Sequence, residues 1–454
     1  MAKRFSKRQL LLLVMDVVIV LLAFNFALFL RLGQTLSSFR SFKELALLAC
    51  LVLAYAAGFY IFELYDIRTL RRRRDFLPSL GAAMVMALLV GVLVFYVFPY
   101  RLGRGVFLIS WVLTGLLVSG WRFAYGQVFE PSAPRRSVLI LGNGPTVDSV
   151  IPGLRHDPEF RLAAIMDRRV MREKLARDAG AGGKGTLEEF VEQNRISDIV
   201  VSFEADVSSE MERALVHCRM KGIGCYTAES FYERLYEKLP VLMLDDRWFL
   251  MSGGFSTLGN RLYETLKRGA DFAVSGFLLL VTLPVSAVIA LLVPLTSRGP
   301  IFFTQDRLGA GKVPFRIIKF RTMVHDAEAE GPKWARDNDL RVTKLGGLLR
   351  KTRLDEIPQL INVLKGEMSL IGPRPEREYF VTRLAEKIPF YDLRFFVKPG
   401  LTGWAQVKFR YAADETDALE KLRYELYYIK HQSLVLEAKI LMKTVRVILT
   451  GLGT

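Results

Sequence analysis

Cysteine is scarce in this chain, with three among 454 residues. Cys50 lies in an apolar run, and Cys218 and Cys225 show no metal-type or disulfide-type pattern, which excludes a disulfide scaffold and a cysteine-rich metal centre and suits a reducing compartment. A cleavage site is also missing. Lys3, Arg4, Lys7 and Arg8 before an apolar run resemble a signal peptide, but no small-residue site follows, so the segment is expected to be retained. Acid is the third shortage: 46 Asp and Glu against 63 Lys and Arg give a net charge of +17. In a soluble chain that excess would suggest nucleic acid. Here 51% hydrophobic residues and a mean hydropathy of +0.24 place the chain in a membrane, where cytoplasmic Lys and Arg beside anionic lipid account for the charge. No nucleic-acid partner is expected.

What the chain does have is long apolar runs. Leu10 to Leu30, Leu45 to Phe62, Leu77 to Phe98 and Val106 to Tyr125 each approach the ~20 residues that cross a bilayer core. They predict a four-helix transmembrane domain over residues 1–130. The cations before the first run, and Arg68 with Arg71 to Arg74 between the second and third, mark both places as cytoplasmic. An even number of spans returns the chain to that side, and Pro131 to Arg136 reads as a linker.

From Ser137 strand-like and helix-like stretches alternate, which predicts a Rossmann-like α/β domain over residues 137–250. In LGNGPTV, Gly142 and Gly144 follow a strand, and Asp167 ends the next strand, where a ribose-binding acid would stand. Val147 replaces the third glycine of that fingerprint. Nucleotide binding and a structural or regulatory role both stay open.

A fifth apolar segment, Asp271 to Leu295, carries Pro284 and Ser286 near its middle. Lys267 and Arg268 before it and Arg298 after it would keep both ends cytoplasmic. That predicts a re-entrant helix hairpin broken at Pro284 and Ser286; by length alone a straight crossing would fit.

Downstream, Lys319, Arg321, Arg353 and Arg374 bracket the adjacent acids Asp355 and Glu356. A diphosphate substrate requires cations to screen its oxygens, a divalent metal against developing charge and an attacking oxygen in line. A carboxylate attacking phosphorus forms an acyl-phosphate and divides one transfer into two easier steps. Its neighbour is then suited to Mg²⁺ or to a proton. Acids opening a helix would look the same.

The runs KTRLDEIPQLINVLKGEMSLIGPRPE and KPGLTGWAQV (Lys398 to Val407) resemble the bacterial sugar transferase family, the monotopic polyprenyl-phosphate phosphoglycosyltransferases, from about Tyr263 onward. The resemblance implies a mostly α catalytic domain over residues 260–454 with a re-entrant helix at about 271–295. It implies that Asp355 attacks the β-phosphorus of a UDP-sugar and releases UMP. Asp355 and Glu356 would hold Mg²⁺, and polyprenyl phosphate, in a bacterium undecaprenyl phosphate, would collect the phosphosugar. Lys319, Arg321, Arg353 and Arg374 would contact diphosphate, nucleotide or lipid phosphate.

The four spans and α/β module resemble the larger members, which begin exopolysaccharide, capsule or O-antigen assembly at the bacterial inner membrane with the catalytic domain on the cytoplasmic face. RWFLMSGGF and the stretch from Tyr424 to Gly451 look like the exopolysaccharide branch. Glu425 and Glu437 depart from the family's usual Asp. Other polysaccharide-assembly enzymes are expected partners, and a homodimer is compatible with the chain though no motif demands it. Two rival readings are a membrane-anchored nucleotide-sugar dehydratase, which would need a second Rossmann domain, and an inactive polysaccharide-export scaffold.

Overall fold

The computed structural model describes residues 7–39, 41–65, 73–97, 104–128, 135–157, 159–166, 187–202, 209–324, 341–409 and 414–449. The chain divides into two compact units, Met1–Pro134 and Arg135–Thr454.

Within the first unit run helices α1 (Lys7–Leu32), α2 (Phe42–Ile61), α3 (Arg73–Val97) and α4 (Arg104–Val128). All four are long and apolar enough to cross a membrane. Ser41 and Glu44 close a capping box that fixes the start of α2. α1 packs on α4, and α2 on α3. A buried ion pair joins the first of these helices to the last, Arg122 Nη2 lying 2.5 Å from Asp16 Oδ2.

The second unit begins with a parallel sheet of β1 (Arg136–Leu141), β2 (Phe160–Met166), β3 (Asp198–Val201) and β4 (Gly224–Thr227), in the order β2-β1-β3-β4. Helices α5 (Pro145–His156), α6 (Leu187–Gln193), α7 (Ser209–Met220) and α8 (Ala228–Tyr236) intervene or follow. α5 and α8 bury Val150 and Phe231 on one face, and α6 and α7 bury Val191 and Cys218 on the other. This is the α/β arrangement that the alternation predicts. Val147 is core here, packed with Val138 and Ile140; it fills the position where a third glycine would let helix and strand approach more closely.

The chain continues through α9 (Asp246–Met251), α10 (Arg261–Thr296), β5 (Phe302–Leu308), β6 (Pro314–Phe320), α11 (Lys344–Thr352), α12 (Gln359–Lys365), β7 (Ser369–Ile371), α13 (Glu378–Lys387), β8 (Gly400–Thr402), α14 (Trp404–Lys408), α15 (Glu415–Lys430) and α16 (Leu434–Leu449). β5 and β6 form an antiparallel hairpin, and β7 pairs parallel with β8. The second unit takes in both stretches that the sequence suggests as domains, 137–250 and 260–454. Leu239 and Val241, leaving the α/β part, enter the same core as Met368, Trp404 and Tyr428. α8 and the residue that ends it add charge to that seam: Glu233 takes Lys430 Nζ at 2.7 Å, and Glu237 takes Lys408 and Lys439 at 2.6 and 3.0 Å.

α10 carries Pro284 and Ser286, where the sequence suggests a break, inside one helical segment, Arg261–Thr296. One stripe of α10 is covered from its first turn to its last. Tyr263, Asp271, Ser275, Ile289 and Val293 are buried, and Lys267, Leu279, Thr282 and Ser286 are half-buried between them, the three-and-four spacing of a single helix face. Near the start, Glu437 of α16 binds Lys267 and Tyr263, and Asp271 Oδ1 accepts from Leu370 N–H. Near the end, Ile289 and Val293 pack on Phe320 and Leu349. The other faces expose Phe272, Phe277, Leu280, Leu283, Leu291 and Leu295.

Candidate functional site

Asp355 and Glu356 lie in a 3₁₀ turn, Leu354–Glu356, between α11 and α12. Thr343 caps α11, its Oγ1 accepting from Gly346 N–H at 2.9 Å, and Arg353 ends the helix at φ +58°. That left-handed residue turns the chain abruptly. The flanking Leu354 and Ile357 pack with Ile289 and Val293 of α10. Asp355 and Glu356 are thereby 7% and 8% exposed, against the last turns of the apolar helix.

Cations reach Glu356 from three segments. Its Oε1 accepts from Lys319 Nζ of β6 at 2.9 Å and from Arg374 Nη2 at 2.8 Å, and Arg353 Nη1 lies 3.7 Å from Oε2. Burial alone would raise the Glu356 carboxyl; Arg374, Lys319 and Arg353 outweigh it and hold the group well below the usual carboxylate range. Asp355 moves the other way. Burial and then the charge of Glu356 raise it, against the pull of Lys319, Arg350 and Arg374. The adjacent acids are driven apart in this way, the Glu356 carboxyl down by its cations and the Asp355 carboxyl up by burial and the charge of Glu356. Burial lowers Lys319 and Arg353, and Glu356 raises Arg374.

Arg374 is placed by a close crossing of two chain segments. A Cβ on Gly372 would stand 2.4 Å from Lys398 O, and one on Gly400 would stand 2.0 Å from Gly372 N. Only glycines let the GPRP and KPGLTG runs pair there. The Arg374 backbone is then held at both ends. Its N–H donates to Glu425 Oε1 at 3.3 Å, its carbonyl accepts from Arg394 Nη2 at 2.7 Å, and that nitrogen also donates to Glu425 at 2.9 Å. Sequence reasoning set Glu425 aside and did not single out Arg394. The available signal was Glu425's position in a family motif.

Arg321 does not join the Glu356 cluster. Its Nη2 and Nε donate to Ser297 O and Oγ at 2.7 and 3.2 Å, tying the exit of β6 to the end of α10. Glu437 binds Lys267, Tyr263 and Tyr428 and anchors α10.

Among the described residues no three of His, Cys, Asp and Glu converge on one point. With Glu356 bonded to its cations, Asp355 is the carboxylate of this turn that would be left to hold a divalent metal. That donor set fits Mg²⁺ in its usual mode, one or two carboxylates completed by substrate phosphate oxygens and water. In the α/β part, Gly142 (φ +105°) and Gly144 (φ +126°) form the turn into α5. Asp167 lies outside the described residues.

Compared with known proteins, residues 262–451 match the family described as bacterial sugar transferase. The UDP-N-acetylgalactosamine-undecaprenyl-phosphate N-acetylgalactosaminephosphotransferase of Aeromonas hydrophila is 42% identical over 248 residues, 55% of this chain and 57% of that protein. The UDP-glucose:undecaprenyl-phosphate glucose-1-phosphate transferase of Escherichia coli K12 is 43% identical over 339 residues, 71% of this chain and 70% of that one. A Bacillus subtilis protein named as a putative undecaprenyl-phosphate N-acetylgalactosaminyl 1-phosphate transferase is 47% identical over 134 residues, 29% of this chain and 74% of its own. The chain thus spans little more than half the length of the Aeromonas relative.

Proposed function

The chain belongs to the bacterial sugar transferase family, and from that membership and its site we propose that it moves a sugar-1-phosphate from a UDP-sugar to polyprenyl phosphate. The observation that carries this reading is the Asp355–Glu356 pair, one acid buried and raised, the other fixed in a cage of Lys319, Arg353 and Arg374. Asp355 attacks the β-phosphorus. A carboxyl oxygen–phosphorus bond forms, the bond to the bridging oxygen of the diphosphate breaks, and UMP leaves with that electron pair. An oxygen of polyprenyl phosphate then attacks the same phosphorus and returns Asp355 as a carboxylate. Lys319, Arg353 and Arg374 screen the phosphate oxygens through both steps, already oriented by Glu356. Mg²⁺ held by Asp355 and the diphosphate would neutralise charge on the leaving group.

Membrane seating follows the same reading. The first four helices cross the inner membrane, and α10 re-enters from the cytoplasmic face. Support for re-entry comes from both ends of α10 packing on one domain, because a helix that crossed would carry its ends into different compartments. Asp355 then sits where a lipid phosphate arrives. The relatives' names favour undecaprenyl phosphate, and the product would start a surface polysaccharide.

The dehydratase alternative lacks its second sheet: the described residues after Arg261 hold only a two-stranded hairpin and a two-stranded parallel pair. The test is UMP release from a panel of UDP-sugars with polyprenyl phosphate and Mg²⁺ in nanodiscs. Release with one sugar supports the proposal. No release from any would favour the inactive scaffold.

A further inference from the structure

A further acid, Glu376, stands beside Arg374. Pro373 and Pro375 favour an extended course there, and two residues span at most about 7 Å, so the two side chains start within the width of one sugar of each other. The charges of Glu356, Glu376 and Asp355 all raise Arg374, which places the three acids within reach of one guanidinium. The Glu376 carbonyl accepts from Leu308 N–H at 3.0 Å. That bond fixes the residue to the β5–β6 hairpin without using its carboxylate.

The carboxylate faces two cations at ion-pair range. Arg307 Nη1 lies 3.6 Å from Oε2 and Lys421 Nζ 3.9 Å from Oε1, outside hydrogen-bonding distance. Arg307 donates to Pro375 O and Gln305 Oε1. Lys421 lies one turn before Glu425 on α15. Among the described residues neither its amine nor the Glu376 carboxylate takes part in a hydrogen bond, and the two side chains are 26% and 18% exposed. Burial pushes the Glu376 carboxyl up, and Lys421, Arg394, Arg307 and Arg374 outweigh it and hold it below its ordinary value. Burial, with Arg374 behind it, lowers Lys421 although Glu376 pulls the other way. A carboxylate offers acceptors and a lysine amine offers donors. An anionic or apolar ligand would leave one of these sets unsatisfied, whereas adjacent hydroxyls donate to the first and accept from the second.

We propose that Glu376 and Lys421 bind adjacent hydroxyls of the UDP-sugar, the carboxylate accepting from them and the amine donating to them, and that the pair thereby selects the donor. The proposal rests on the transferase reading and adds the groups that recognise the substrate beyond its diphosphate. Hexose and ribose both carry adjacent hydroxyls, and each is joined to the diphosphate that Arg374 screens. A site built to bond a hydroxyl discriminates against an analogue without it, because its own polar groups are then left unpaired.

The full chain in nanodiscs, as wild type, Glu376→Gln and Lys421→Met, provides the test. Equilibrium binding is measured for UDP, 2′-deoxy-UDP, UDP-glucose, UDP-galactose and the two corresponding UDP-N-acetylhexosamines, and UMP release is followed for each sugar with polyprenyl phosphate and Mg²⁺. For the sugar that the wild type binds best, each variant should lose about 10–100-fold in affinity and in kcat/KM. If the hexose supplies the hydroxyls, the ranking of the four sugars flattens and affinity for UDP is unchanged. If the ribose supplies them, the loss appears already with UDP and is absent with 2′-deoxy-UDP. Melting curves show which variants fold, and Lys421→Met carries the test where Glu376→Gln does not. Unchanged affinities in the folded variants overturn the proposal, and a fall in kcat of equal size for every sugar with unchanged affinity leaves the pair as a support for Arg374 alone. Binding by the wild type without UMP release from any sugar tells against the transferase reading instead, and the affinities still decide the hydroxyl site.

Discussion

Arg374 Nη2 donates to Glu356 Oε1 at 2.8 Å, on the oxygen that also receives Lys319. The pair makes Glu356 a holder of cations, and its loss should therefore be felt by the fold as well as by the reaction. Glu356→Gln leaves half-buried Lys319, Arg353 and Arg374 together without their anion. Removing one partner costs about 3–5 kcal/mol for a fully buried pair and at most about 1 for an exposed one, so a loss between the two, read as a lower melting temperature in detergent, is the expected outcome. The sign follows from the depressed carboxyl: its stabilisation is full above the unfolded-state value and is lost as pH falls through the folded one. The wild type should lose stability on acidification where the variant loses less. Equal melting curves across pH would contradict this.

Arg394→Lys and Glu425→Gln act at a distance from the chemistry. Either one unfastens the backbone of Arg374 while leaving its side chain intact, so kcat should fall by about 10–100-fold, the scale of a misplaced catalytic group. Steady-state UMP release measures it. A change confined to stability, with kcat unaltered, would make the clamp purely structural.

The raised Asp355 carboxyl predicts a pH limb. As pH falls through the folded value Asp355 takes a proton and stops being a nucleophile, and this happens above the ~3.9 of a free aspartate. Lys319 opposes that rise. Lys319→Met should therefore move the acid limb of kcat/KM for UMP release to higher pH as well as lowering the plateau. A limb that stays in place would separate Lys319 from Asp355's ionisation.

Asp16 and Arg122 form a buried charge pair in the first unit. Arg122→Met alone strands a carboxylate and should destabilise the detergent-solubilised protein by about 3–5 kcal/mol, whereas Asp16→Leu combined with Arg122→Met should recover most of that loss. A thermal unfolding series checks both. No recovery in the double variant would mean that the site needs its charges for more than mutual neutralisation.

Much of this was legible in the residues, and what was not has physical causes. The four apolar runs and the strand–helix alternation after Ser137 are periodic signals, and periodicity survives without coordinates. Asp355, Glu356, Lys319, Arg353 and Arg374 were marked by charge type within spaced motifs, and the structure brings those five together. Arg321 was marked by the same logic but sits on Ser297, because charge type does not reveal which way a side chain turns. Glu425 and Arg394 act through the backbone of another residue, a relation made by tertiary packing across more than one segment. Pro284 suggests a break because proline removes a helix hydrogen bond, and in the structure it lies inside the helical segment Arg261–Thr296.

The covalent step is the centre of the account, and intact-protein mass spectrometry addresses it directly. Wild-type protein given a reactive UDP-sugar and Mg²⁺, with polyprenyl phosphate withheld, should gain the mass of one sugar phosphate and lose it when the lipid is added, while Asp355→Asn gains nothing. An adduct that persists in Asp355→Asn, or UMP release from wild type through a full reaction with no adduct at any time, would contradict the assignment of Asp355 as the nucleophile.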